Sequence, residues 1–187
     1  MSGAPIFRIG ETVVEPSIGI CRVQGIREMQ IDGISEEYYI FQSPNQTRVL
    51  VPRSQLKKRG VHKPMSRDEI KKVTSSLRIP VNPIRGNARE QYLDYQATMK
   101  SGDPSKITKL LRSLFILEQA DDLKGKEKEL MEQARKFLIE EITFIKGTPK
   151  AQIASDINDS LKQMYKKKVA KDREEAKTAR AAARKEK

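Results

Sequence analysis

In 187 residues there is one cysteine, one histidine and no tryptophan. Cys21 alone excludes an internal disulfide and a cysteine zinc site, and its place within an alternating stretch marks it as a small core residue of a strand. His62 alone, beside a basic run and without a plausible partner nearby in sequence, leaves no material for a catalytic triad or a histidine metal site. No glycine run precedes a Gly-Lys-Ser or Gly-Lys-Thr, so a phosphate-binding loop is missing. No apolar run approaches the ~20 residues of a spanning helix, and no signal-peptide core follows Met1. The acidic pairs Glu36-Glu37, Asp121-Asp122 and Glu140-Glu141 are sequence neighbours and read as solvated surface. The expectation is a soluble, intracellular binding protein with no cofactor, no small-molecule substrate and no enzymatic activity.

What the chain has in excess is positive charge. Lys and Arg number 37 against 25 Asp and Glu, a net of 37 − 25 = +12. Such an excess points first to nucleic acid and only second to a membrane surface. It is unevenly placed: residues 1–60 carry 8 basic and 6 acidic side chains, whereas residues 148–187 carry 12 and 6. A second concentration runs from Pro52 to Arg89, where 11 basic residues face only Asp68 and Glu69.

The first 60 residues read as β structure. The segments "FRIG", "ETVV" and "ICRVQGIREMQI" alternate apolar and polar residues up to Asp32-Gly33, a dipeptide suited to a tight hairpin. "EEYYIFQS" returns, "PNQ" turns the chain, and "TRVLVP" supplies a strand that Pro52 stops. About four or five short strands linked by turns predict a small SH3-like or Tudor-like barrel with free edges.

The remainder reads as α structure. Ser66 with Glu69, and Asn87 with Glu90, have capping-box spacing. Asp103 and Thr148 each precede a proline, which places an N-cap before a proline at the first helical position. "ITKLLRSLFILEQ" and "LMEQARKFLIEEITFI" carry wide apolar stripes, and a bundle of about four helices follows. Beyond Met164 the apolar spacing fails, although helix propensity stays high, so the end of the chain reads as a solvated helix or a frayed arm. The fold class expected is α+β: a β module over 1–60, a helical bundle over 61–165 and a basic tail over 166–187.

The strings "FRIGETVVEPSIGICRVQGI", "IDGISEEYYIF", "VLVP", "YQATMKSGDPSKITKLLRSLF" and "LKGKEKELMEQARKFLIEEI" together resemble the CarD family of bacterial transcription regulators, over residues 6–146. The resemblance implies a Tudor-like module that docks on the β subunit of RNA polymerase and a helical module that contacts promoter DNA near the upstream edge of the melted region. It puts Met29, Ile31, Leu50 and Pro52, with Arg48 nearby, on the polymerase-facing surface. Ile31 and Leu50 could equally be buried in their own barrel, and Arg48 could be a solvated strand position. It puts Lys57, Lys58, Arg59, Arg85, Asn87, Ala88, Arg89 and Tyr92, with Arg135 further on, where DNA would lie. Members of the family carry a tryptophan before two arginines and a tyrosine, whereas this chain reads Ala88-Arg89-Glu90-Gln91-Tyr92 there. The aromatic wedge against the minor groove is therefore absent, and Glu90 stands where an arginine would be. A cytoplasmic, nucleoid-associated monomer is the expectation. Two alternatives remain open on sequence grounds: a polymerase-docking repair or elongation factor, and an RNA-associated or ribosome-associated basic scaffold.

Overall fold

The computed structural model describes residues 6–31, 33–83 and 86–185, with side chains as far as residue 179. Four antiparallel strands form a meander in the order β1-β2-β3-β4: β1 Thr12–Glu15, β2 Gly19–Ile31, β3 Ile34–Gln42 and β4 Arg48–Pro52. Five helices follow: α1 Arg67–Ser76, α2 Ala88–Lys100, α3 Pro104–Gln119, α4 Gly125–Lys146 and α5 Lys150–Lys185. The α+β architecture is as expected, with one helix more than the apolar stripes suggested. "FRIG" is not a strand. It contributes Phe7, which packs edge-on against Tyr39 with ring centroids 6.2 Å apart. The hairpin between β2 and β3 turns through Gly33, whose φ of 78° is in the left-handed region that glycine adopts without a Cβ penalty. Asp32, the other half of the predicted turn, lies outside the described residues.

Side-chain parity decides what each strand buries. Val13, Cys21, Val23, Tyr39, Phe41 and Val51 point to the inner face of the sheet, where Phe7, Leu56 and Val61 cover them. Each such buried aliphatic or aromatic side chain stabilises the module by about 1.5 to 3 kcal/mol. Cys21 lies in this core, and its burial pushes the thiol pKa up to about 12. Between Val23 and Gly25 the β2–β3 register shifts, because Gln24 is an extra residue. A bulge of this kind reverses the alternation beyond it. Ile26 pairs with buried Tyr39, so Gly25, Arg27, Met29 and Ile31 all fall on the outer face.

The helices bury a larger core of Leu110, Leu111, Leu114, Leu138, Ile142, Leu161 and their neighbours. Their starts largely follow the capping signals. Ser66 and Glu69 form the reciprocal box of α1, and Asp103 accepts from the backbone N–H groups of Ser105 and Lys106 at the head of α3. Asn87 caps α2 differently from the expected box, accepting from the Arg89 N–H at 3.1 Å. Helix α5 starts one residue later than Thr148-Pro149 predicted, with the Pro149 carbonyl accepting the Ile153 N–H. Gly147, at φ 65°, ends α4 in a left-handed cap. Helix α5 runs without interruption past Tyr165 to Lys185.

The sheet rests on the bundle through its β1 edge. Val14 belongs to the helical core while its neighbour Val13 belongs to the sheet core, and Ile20 packs beside Val14. His62 extends this edge, exchanging both backbone hydrogen bonds with Val14 at 2.8 and 3.1 Å. Gly60 and Gly102 touch through their backbones: a Cβ at Gly60 would lie 2.4 Å from the Ser101 carbonyl group.

Candidate interaction surfaces

The outer face of the sheet is built by the register. Leu50 of β4 pairs with Ile40 of β3, and Ile40 pairs with Gly25 of β2; Pro52, Tyr38 and Arg27 form the next row. Met29 then faces Glu36, and Ile31 faces Ile34. All five residues assigned by resemblance to a docking surface, Met29, Ile31, Arg48, Leu50 and Pro52, therefore share one face. Leu50 is 45% and Ile31 43% exposed, which settles the choice between core and surface for both in favour of surface. Arg48 is exposed beside them, opposite Gln42. Ile34 adds a further exposed apolar residue that sequence reasoning missed. Strand β4 has no partner on its far side among the described residues, so backbone N–H and C=O groups lie open next to an apolar face. That combination suits an added strand, where the backbone supplies affinity and the side chains supply selectivity.

The residues assigned to DNA do not form one site. Lys57 and Lys58 are exposed after the short 3-10 turn Arg53–Gln55. Arg59 is committed internally, its Nε and Nη2 donating to the buried Glu15 Oε1 at 3.1 and 2.8 Å. The other oxygen of Glu15 accepts from the N–H groups of Ser17 and Ile18, so the carboxylate is fully used. Lys58 and Arg59 line an open cleft of about 1000 Å³ between sheet and helices, together with Lys100, Lys136 and Glu140. Asn87, Ala88 and Arg89 are exposed at the opposite end of α2, about 18 Å from Lys100 along a helix of this length. Arg85 lies outside the described residues.

Near the head of α2, Tyr92 packs partly against the helical core, accepts a hydrogen bond from Gln96 at 3.1 Å and has the Lys126 ammonium 5.7 Å from its ring centre. Lys126, distant in sequence, escaped the sequence analysis because only the packing of α4 against α2 brings it there. Arg135 is half-buried on α4, 3.7 Å from Glu132, and does not line the cleft. The head of α2 thus presents the exposed Arg89 and, one turn further on, the Lys126 ammonium over the Tyr92 ring, two cations that favour phosphate. Glu90 opposes them.

Glu141, which lines the cleft, faces His62. Glu141, only 1% exposed, accepts the Met65 N–H at 2.7 Å, and its Oε1 lies 3.5 Å from His62 Nε2, an ion-pair separation rather than a full hydrogen bond. His62 Nδ1 is 2.8 Å from the Gly60 carbonyl. Burial works against a charged imidazole, but contact with Glu141 and the Gly60 carbonyl, and the more distant Asp103, outweigh it and raise the His62 pKa above its ordinary 6.5. This arrangement ties the segment after the sheet to α4.

Residues 7–65 match the family model described as the CarD-like/TRCF RID domain, and residues 72–158 match the one described as the CarD C-terminal domain. The chain belongs to the CarD family. Among curated proteins it is similar to YdeB of Bacillus subtilis (strain 168), described as a candidate transcription factor, at 22% identity over 151 residues, which is 80% of this chain and 99% of that one. The CarD assignment makes it a non-enzymatic transcription factor with an RNA polymerase-interacting domain followed by a helical one. No helix among the described residues is long and apolar enough to cross a membrane.

Proposed function

We propose that this CarD-family protein docks on the β subunit of RNA polymerase through the outer face and β4 edge of its sheet, and that its helical module meets promoter DNA and modulates the stability of the open complex. The observation that carries the docking is Leu50, exposed on the edge strand β4 beside Ile40, Tyr38 and Pro52. Apolar residues of this kind act as anchors when a partner excludes water from them. On the helical side, the head of α2 offers Asn87, Ala88 and Arg89 to the duplex, with Tyr92 and Lys126 behind them. The units we assign to these roles are residues 1–60 for docking, 61–165 for DNA and 166–187 as a basic tail, acting as a monomer in the cytoplasm at the nucleoid.

Capture of the polymerase β subunit by the full chain after nuclease treatment tests the reading, and loss of all partners with RNase would replace it by an RNA-bound scaffold. One observation favours a narrower version. Ala88 presents a methyl group where the family places an indole, so the step that wedges a base pair is weak. In that version the protein docks on polymerase and positions itself by phosphate contacts with little effect on melting.

A further inference from the structure

Helix α5 continues 27 residues beyond residue 158, where the match to the CarD C-terminal domain ends. Its first half docks on the bundle through Ile153, Ile157, Leu161 and Met164, all buried. Past Tyr165 the only larger aliphatic residue is Val169. At about 100° per residue, Lys162, Lys166, Arg173 and Lys177 fall within a stripe roughly 60° wide, on the side away from the docked residues. All four are exposed. In the sequence, Arg180 and Arg184 continue the same register.

Off the stripe, Lys168 and Lys171 are handled differently, whereas Lys167 makes no ion pair among the described residues. Lys168 pairs with Asp172 at i, i+4, and Lys171 lies 3.7 Å from Glu175 in the same spacing. The stripe residues have each other at i, i+4, as Lys162 with Lys166 and Arg173 with Lys177, and none of the four makes an ion pair among the described residues. Like charges in that relation oppose helix formation, whereas alternating signs support it. A helix shaped only for solvation has no use for a one-sign stripe. A polyanion facing the stripe removes the repulsion.

We infer that the C-terminal half of α5 is an electrostatic arm that lies along the phosphate backbone of duplex DNA, with Lys162, Lys166, Arg173 and Lys177 as its contacts. The stripe spans about 22 Å from residue 162 to 177, with successive members about 6, 10 and 6 Å apart along the axis, far enough for each to neutralise a different phosphate. A membrane surface fits less well, because a helix that lies in lipid headgroups needs bulky apolar residues on its other side, and here those positions hold lysine, aspartate, glutamate, threonine and alanine, with Val169 at the edge of the stripe itself. The inference takes its setting from the promoter reading above, but the contact itself depends only on the stripe.

The test uses the full chain and a labelled random-sequence duplex, with affinity measured by anisotropy across a salt series. The triple variant Lys166→Gln, Arg173→Gln, Lys177→Gln is compared with Lys167→Gln, Lys168→Gln, Lys171→Gln, which changes net charge equally but lies off the stripe. The stripe variant is expected to reduce the slope of log affinity against log salt by about 2 to 3, from roughly 0.9 per phosphate contact, and the control by less than about 1. A chain ending at Tyr165 should show a reduction at least as large as the stripe variant, whatever the helicity of the substituted arms. Equal effects of the two triples, an unchanged slope in the stripe variant or the truncated chain, or stripe-dependent binding to phosphatidylserine vesicles in place of DNA would each overturn the inference. Polymerase capture is scored in parallel: if the wild type fails to retain the β subunit while the slopes differ as expected, the docking reading falls and the arm stands.

Discussion

At the β1 edge of the sheet, Val14 exchanges both backbone hydrogen bonds with His62 and sends its side chain into the helical core, while at the β4 edge Arg48–Pro52 meets no further strand among the described residues and Leu50 stands in solvent. The two edges have similar sequences, Thr-Val-Val-Glu against Arg-Val-Leu-Val-Pro. What separates them is the chain that follows. The β1 edge is closed by the stretch from Gly60 to Met65, which is pinned by the Gly60–Gly102 contact and by Glu141. The β4 edge is left with only Arg48 and Pro52 to discourage pairing with the wrong partner, two residue types that protect free edges elsewhere. One edge holds the molecule together, and the other lies open beside exposed apolar surface.

The comparison breaks most severely at Gly60. Its φ of 68° and the 2.4 Å approach of a Cβ to Ser101 leave Gly60→Val with both backbone strain and a clash. A loss of about 2 to 4 kcal/mol is expected in urea unfolding. A loss below about 1 kcal/mol would mean that sheet and helices adjust freely around this contact. Next in size is Leu50→Glu, which should weaken capture of the polymerase β subunit by about 30-fold or more, the scale of an interface anchor worth ~2 kcal/mol. Because Leu50 is on the outer face, unfolding stability should stay within about 0.5 kcal/mol of wild type. Equal affinity in a folded variant would remove β4 from the interface.

A smaller effect is expected at the head of α2. Ala88→Trp should lengthen the lifetime of open promoter complexes by a few-fold, on the order of 1 kcal/mol for a stacked aromatic. Adding Leu50→Glu should cancel the gain, since the indole acts only when docking holds it in place. No gain in the single variant would locate any wedge elsewhere on the protein.

The least effect is assigned to His62. Its folded pKa is raised, so its contribution to stability is fully present below its ordinary value of 6.5 and is lost as pH rises through the higher folded value. The facing charges are Glu141 and, further away, Asp103. Unfolding curves should therefore show declining stability above pH 6.5, and His62→Gln should flatten that decline. An identical pH profile in the variant would show that folding leaves the proton affinity of the imidazole unchanged.

Much of this was legible from residue types. The order of strands before helices, the caps at Ser66 and Asp103, and the burial of Cys21 follow from alternation and local hydrogen bonding. The faces of β2 were not, because one extra residue at Gln24 exchanges inside for outside from Gly25 onward. Continuing the alternation from Cys21 and Val23 would have buried Met29 and Ile31. The pairing of His62 with Glu141 was hidden for another reason: the two residues are 79 positions apart in the chain, and Glu141 looks like half of a solvated acidic pair until α4 is packed. Arg59 shows the converse. It reads as one member of a basic run, yet the buried Glu15 claims it.

The contact between Gly60 and Gly102 also sets a scale of length. Gly60 follows the sheet by a few residues, and Gly102 follows α2, so the two backbones form a fixed joint between the sheet and one end of a 13-residue rod. Once a partner grips the sheet, the far tip of that rod at Asn87 is held at a set distance from the grip. Under the proposed reading the molecule behaves as a caliper, in which the position touched on a second partner is chosen by the span between the jaws.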